Sequence, residues 1–122
     1  MAEIPSGPDL DLSLLLEIAD GSTEFIVDSI EMFLQQAPES LQELGDALDA
    51  QDWYIAGSAA HKLKSTLGFF GMLISQALIQ QIELSCKGGA PNVAEIYAQF
   101  GQVKANIAEN SEKLNKIKVD GV

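Results

Sequence analysis

The chain contains a single histidine, His61, and its neighbours at helical spacing are mostly small. On the predicted helix these neighbours are Gly57, Ser58, Lys64, Ser65 and Gly68. Histidine titrates near neutral pH, so its neutral ring is available as a nucleophile that can accept a phosphoryl group. The ammonium of Lys64, one helical turn away, would lie beside an anion attached to that ring.

The apolar periodicity around His61 predicts that its side chain points away from the core. The core stripe of this helix consists of Trp53, Ala56, Ala60, Leu63 and Leu67, which recur at steps of three and four residues. At about 100° per residue, His61 lies roughly 140° from the centre of that stripe. The alternative, a histidine buried and satisfied inside the protein, is therefore disfavoured.

Two glycines lie on the same predicted helix, although glycine costs about 1 kcal/mol there relative to alanine. We interpret them as part of a bare docking strip around the imidazole, formed by Gly57, Ser58, Lys62, Ser65 and Gly68. An alternative for Gly68 is that it only ends the helix, whereas Gly57 lies too far inside for that explanation.

The sequence lacks the residues that hydrolysis or metal binding at His61 would require. The nearby hydroxyls, Ser58 and Ser65, lie on the same exposed face without a pocket, so a hydrolase is not expected. One histidine and one cysteine, Cys86, are too few ligands for a zinc site, and no glycine-rich phosphate loop is present. We therefore expect no metal, no cofactor and no catalysis by the chain alone.

Composition narrows the possible partners. The 122 residues suffice for one domain, and 18 acidic residues against 7 lysines give a formal charge of −11. Because nucleic acid requires a basic face, it is excluded as a partner. The longest uncharged stretch, 65–82, is too polar to span a membrane, and residues 1–8 do not resemble a signal peptide. We expect a cytoplasmic protein without membrane association.

The apolar pattern predicts helices throughout and no strand. The predicted elements are a short helix over Asp9–Ile18, a long helix over Ser22–Ala50 with a kink or break at Pro38, a third helix from Asp52 to Phe69, a fourth over Met72–Cys86 and a last helix from Val93. These predict an all-α antiparallel four-helix bundle with a short additional N-terminal helix. The predicted limits are a flexible N-terminus over 1–8, the bundle over 9–118 and a tail over 119–122.

Polar residues at the helix starts are predicted N-caps, namely Asp9 or Asp11, Ser22 or Thr23, and Asp52. The inward face of the fourth helix is predicted from its apolar residues, Leu73, Ala77, Leu78, Ile82 and Cys86.

Residues 60–71, AHKLKSTLGFFG, resemble the phosphorylation motif of histidine-containing phosphotransfer (HPt) domains, His-x-Leu-Lys-Gly-Ser-x-x-x-Leu-Gly. Residues 25–41, FIVDSIEMFLQQAPESL, are similar to the second helix of that family, and the resemblance covers about residues 10–117. It implies that His61 is the phosphoacceptor, that Lys64 steadies the phosphoryl group and that Gly71 makes the following turn. It also implies that Glu83 lies near the imidazole, and Ser65 departs from the motif by replacing a glycine.

The same resemblance implies a phosphorelay intermediate, a phosphocarrier that is not itself an enzyme. Such a domain exchanges a phosphoryl group with an aspartate on response-regulator receiver domains, whose acidic pocket and Mg²⁺ supply the catalysis. The implied partners are receiver domains and a hybrid sensor histidine kinase, and the chain is expected to be a monomer.

Two alternatives remain open from the sequence. The first is a helical interaction module that has kept this fold without phosphotransfer. The second is the dimerisation helix pair of a sensor kinase, which also carries an exposed histidine. Against the second, an acidic residue usually follows such histidines whereas Lys62 follows here, and no ATP-binding region is present.

Overall fold

The structure, a computed structural model, describes residues 9–89 and 92–120. Its helices are α1 (Ser13–Ala19), α2 (Thr23–Asp49), α3 (Trp53–Phe69), α4 (Leu73–Lys87) and α5 (Val93–Asp120), and the described residues contain no strand. Helices α2 to α5 form the four-helix bundle, in which α3 packs on α2 and α4, and α5 packs on the same two helices. The short helix α1 packs against α2. The predicted fold class is confirmed.

The N-cap residues of α2 and α3 have side-chain caps, whereas the N-cap of α1 is Leu12 and its side-chain contact comes from Asp11, the residue before it. The Oγ of Ser22 accepts a hydrogen bond from the amide of Phe25 at 3.1 Å, and Asp52 accepts one from the amide of Ile55 at 3.1 Å. Asp11 accepts the amide of Ser13 at 3.0 Å at the start of α1. These contacts satisfy amides that have no partner inside the helix. Helix α2 is continuous through Pro38, which is exposed, so the chain has no break there.

The inward face of α4 differs from its prediction. Its buried residues are Ser75, Ile79, Ile82, Glu83 and Cys86, whereas Leu73 and Ala77 are exposed. The prediction was right for Ile82 and Cys86, wrong for Leu73 and Ala77, and it omitted Ile79. It rotated the buried face away from the position that includes the two polar residues, Ser75 and Glu83. Two polar side chains of α4 are buried instead, and each has hydrogen-bond partners that make its burial tolerable.

Asp9 caps α4 and not α1. Its carboxylate accepts the amide of Ser75 at 2.8 Å and the hydroxyl of Ser75 at 2.5 Å. The side-chain amide of Asn110, on α5, donates to both the carboxylate and the backbone oxygen of Asp9 at 3.1 Å. Residues 9–12, which we call the N-terminal strap, thus join α4 to α5, and their leucines Leu10 and Leu12 are buried in the core.

The strap also crosses the turn between α3 and α4. Gly71 lies in this turn, as predicted, and has φ 66°, a left-handed conformation that glycine adopts without strain. A Cβ atom at this position would lie 1.8 Å from the carbonyl oxygen of Asp11. The turn therefore requires glycine both for its backbone and for the passage of the strap.

Helix α5 continues through Val119 and Asp120, two residues beyond the predicted end of the bundle at 118. The predicted N-terminal segment, 1–8, and the end of the predicted tail lie outside the described residues. No described helix is both long and apolar enough to cross a membrane.

The substitution Gly71→Ala should reduce the free energy of unfolding by more than about 3 kcal/mol, because it adds a steric overlap to the left-handed backbone penalty. The matched control is Gly21→Ala, where φ is 85° and no atom lies within 4 Å of the new Cβ. It should cost only about 1 kcal/mol. Urea unfolding measures both, and equal losses would contradict the role of the strap.

Candidate functional site

His61 projects from α3 into solvent, as its position outside the apolar stripe predicts. Its side chain is 62% exposed, whereas its neighbours Ala60 and Leu63 are buried in the core. The imidazole is therefore accessible to another molecule.

A buried carboxylate holds the inner edge of this ring. Glu83, on α4, is only 3% exposed, and its Oε2 lies 2.8 Å from Nδ1 of His61. An ionised carboxylate can only accept a hydrogen bond, so the neutral ring carries its proton on Nδ1. The lone pair on Nε2, at the other side of the ring, is then free to act as the nucleophile.

Two lysines keep Glu83 ionised. Lys64, from α3, donates to Oε1 at 2.8 Å, and the ammonium of Lys87, one turn further along α4, lies 2.9 Å from Oε2. The hydrogen bond from Lys64, followed by that from Lys87, lowers the pKa of Glu83 to about 2, although burial acts in the opposite direction. The site therefore combines one carboxylate, two ammonium groups and one nucleophilic ring.

The sequence prediction did not include Lys87. The spacing of Glu83 and Lys87, four residues apart on one helix, was a signal for an ion pair. It did not show that the pair lies next to His61, because that depends on how α4 is rotated against α3.

The two glycines of the predicted docking strip face α4. Gly57 is buried, and a Cβ there would lie 3.5 Å from the Cβ of Cys86. A Cβ at Gly68 would lie 2.5 Å from Nε2 of Gln76, whose amide group donates to the backbone oxygen of Lys64 at 3.2 Å. Gly57 nevertheless lines the open groove beside His61, and Gly68 is half-buried, so the role of the two glycines in partner docking stays a prediction.

The rest of the predicted strip is exposed, namely Ser58, Lys62 and Ser65. Two open grooves border this surface. The α3–α4 groove, of about 510 Å³, is lined by Trp53, Tyr54, Gly57, Ser58, His61, Cys86 and Lys87. The α2–α3 groove, of about 430 Å³, is lined by Phe25, Ser29, Met32, Phe33, Gln36, Ser65, Thr66, Phe69 and Phe70. Ser65 thus connects the second, mainly apolar groove to the face that carries His61.

In the described part of the chain, no three His, Cys, Asp or Glu side chains are grouped as metal ligands. The fold and the site define a helical-bundle protein that presents one histidine nucleophile with a fixed tautomer and cations beside it. Such an arrangement suits the temporary attachment of an anionic group to Nε2.

Comparison with known proteins identifies the family. The sequence model of the Hpt domain matches residues 28–113, a range that contains His61, Lys64 and Glu83, and the chain belongs to the Hpt domain family. It is therefore an intermediate of a phosphorelay. No curated protein is similar enough to count as a match.

Among solved structures, the fold is similar to that of histidine-containing phosphotransfer protein B (HptB) from Pseudomonas aeruginosa PAO1. The two chains are 20% identical, and their TM-score is 0.86 over 96% of this chain and 100% of the other. This similarity supports the bundle described above.

The depressed pKa of Glu83 makes the bundle sensitive to acid. Since this pKa is about 2 in the folded chain and ordinarily 4.5, the stabilisation is complete above about pH 4.5 and is lost as the pH falls towards 2. At pH 7, Glu83→Gln should lower the free energy of unfolding by about 1.5–3 kcal/mol, because it removes charge-assisted hydrogen bonds. The difference from wild type should shrink between pH 4.5 and pH 2.

The control for this measurement is Glu109→Gln. Glu109 is 69% exposed and pairs with Lys113 at 3.6 Å, also four residues along one helix. An exposed pair contributes little, so this variant should track the wild type at every pH. Urea unfolding across the pH range measures the free energy of unfolding of all three proteins. A difference between Glu83→Gln and wild type that stays constant with pH would contradict the lowered pKa of Glu83.

Proposed function

We propose that Nε2 of His61 is the phosphoacceptor of this chain, and that it exchanges the phosphoryl group with aspartates of receiver domains. The observation that carries the proposal is the contact between Glu83 and Nδ1 at 2.8 Å. It leaves Nε2 deprotonated on an exposed ring, which is what an attack on a partner's aspartyl phosphate requires.

In the transfer step, the lone pair on Nε2 forms the new bond to phosphorus while the bond from phosphorus to the aspartate oxygen breaks. The aspartate leaves as a carboxylate of the receiver. The Nδ1 proton stays on His61, so the phosphorylated ring is cationic and the carboxylate of Glu83 is its counter-ion. The reverse reaction, with the aspartate of a second receiver, regenerates the neutral ring.

Lys64 has two roles in this proposal. It keeps Glu83 ionised through the contact at 2.8 Å, and its positive charge lies one helical turn from His61, where it favours the incoming phosphoryl dianion. The receiver supplies its own catalytic groups, so this chain needs no cofactor. The chain is therefore proposed to be a phosphocarrier and not an enzyme, because the receiver provides the catalytic groups.

The proposed partners are two receiver domains, one of which belongs to a hybrid sensor histidine kinase, and the chain acts in the cytoplasm as a monomer. The receiver docks on the exposed residues Ser58, Lys62 and Ser65 around His61. Its contact continues over the α2–α3 groove, because that groove is mainly apolar and joins the face at Ser65. Gly57 and Gly68, the two glycines of the predicted docking strip, lie beside these residues and face α4.

His61→Gln should abolish phosphoryl acceptance while leaving the helical content and melting temperature close to wild type, because the side chain is largely outside the core. The measurement is acid-labile labelling after incubation with a receiver phosphorylated by acetyl phosphate. Labelling that persists in the variant would remove His61 from the proposal. An unlabelled wild-type chain, tested against all receivers of its source organism, would favour the interaction module without phosphotransfer.

Met32→Glu should weaken receiver binding roughly tenfold, because it places a charge in an apolar contact. Met32 lines the α2–α3 groove and is 56% exposed, so the fold should tolerate the change. Leu84→Glu, at an equally exposed position on α4, is the control and should bind normally. Titration calorimetry with the receiver measures both, and equal affinities would place the docking surface elsewhere.

A further inference from the structure

Lys87 shares an oxygen of Glu83 with the reactive histidine. Its ammonium lies 2.9 Å from Oε2, the same atom that accepts the hydrogen bond from Nδ1 of His61. The side chain of Lys87 is 62% exposed, against 26% for Lys64. Of these two lysines, Lys87 is thus the one that can change its partner without disturbing the packing of the bundle.

We propose that Lys87 is a second anchor for the phosphoryl group, and that its ammonium moves from Glu83 to the phosphoryl oxygens once His61 is phosphorylated. This inference rests on the proposed function. It assigns to Lys87 a binding role in the phosphorylated state that the sequence motif around His61 does not contain.

The charges of the site support a second cation. Before transfer, Glu83, the two lysines and the neutral ring sum to one net positive charge. After transfer, the ring carries a positive charge and the phosphoryl group two negative charges, so the sum becomes zero. Without Lys87, the phosphorylated site would keep one uncompensated negative charge next to a buried carboxylate, which is unfavourable.

The shape of the site gives the ammonium room to move. Lys87 lines the α3–α4 groove together with His61 and Ser58, so open space lies between the lysine and the ring. The stem of Lys87 lies over Gly57, where an added Cβ would be 3.9 Å from its Cγ.

Phosphoramidate, a small phosphoryl donor, tests the anchor without a protein partner. Wild type, Lys87→Met, Lys87→Arg and the remote control Lys104→Met would each be phosphorylated, and the ³¹P signal of phosphohistidine followed against pH. A neighbouring cation favours the phosphoryl dianion, so the titration midpoint in Lys87→Met should lie at higher pH than in wild type. Lys87→Arg should restore the wild-type midpoint, and Lys104→Met should not change it.

The equilibrium of transfer gives a second readout. With a receiver that phosphorylates the wild-type chain, the ratio of phosphohistidine to receiver phosphate should fall about threefold to tenfold in Lys87→Met. In the unphosphorylated chain, Lys87→Met removes one partner of Glu83, so the melting temperature should fall slightly, and Lys87→Arg should restore it. A purely structural role for Lys87 would produce this loss of stability and leave both the titration midpoint and the transfer equilibrium at their wild-type values.

The outcomes separate the two proposals. If wild type and Lys87→Met accept phosphate and have the same titration midpoint and transfer equilibrium, Lys87 is no anchor and the proposed function stands. A wild-type chain that takes no phosphoryl group on His61 from phosphoramidate or from a receiver overturns the proposed function and the anchor together.

Discussion

The carboxylate of Glu83 is the group on which the site depends. It is almost fully buried, and a buried charge is tolerated only when it is paired and hydrogen-bonded. Its partners come from two helices, since Lys64 and His61 lie on α3 and Lys87 on α4. Glu83 thus fixes the tautomer of the His61 ring, pairs with both lysines and links α3 to α4. The proposed reactivity of Nε2 rests on this pairing.

Close packing of α3 on α4 is what brings that carboxylate within reach. Gly57 and Gly68 both face α4, where an added Cβ would lie 3.5 Å from the Cβ of Cys86 and 2.5 Å from Nε2 of Gln76, respectively. At Gly57 an added Cβ would make ordinary van der Waals contact, whereas at Gly68 it would displace the side-chain amide of Gln76 from its hydrogen bond to the backbone oxygen of Lys64. Packing against α4 therefore favours a small residue at Gly68, and the part of both glycines in docking belongs to the proposal.

Much of the fold follows from the sequence, because helix periodicity and caps are local properties. The outward position of His61 and the caps Ser22 and Asp52 could be predicted in this way. The face of α4 could not, since burial of Ser75 depends on a partner that lies 66 residues earlier in the chain. The position of Glu83 came only from the family resemblance, and Lys87 was missed because no local rule gives the rotation of one helix against another.

The hydrogen bonds of Asp9 bear on where the autonomously folding unit begins. The family match starts at residue 28, inside α2, yet Asp9 holds α4 through Ser75 and α5 through Asn110, across separations of 66 and 101 residues. A fragment excised at the limits of the match, 28–113, would keep every residue of the reactive site. It would also leave a buried serine and a buried asparagine without their acceptor. The proposed reactive site and the unit able to support it thus have different boundaries along the chain.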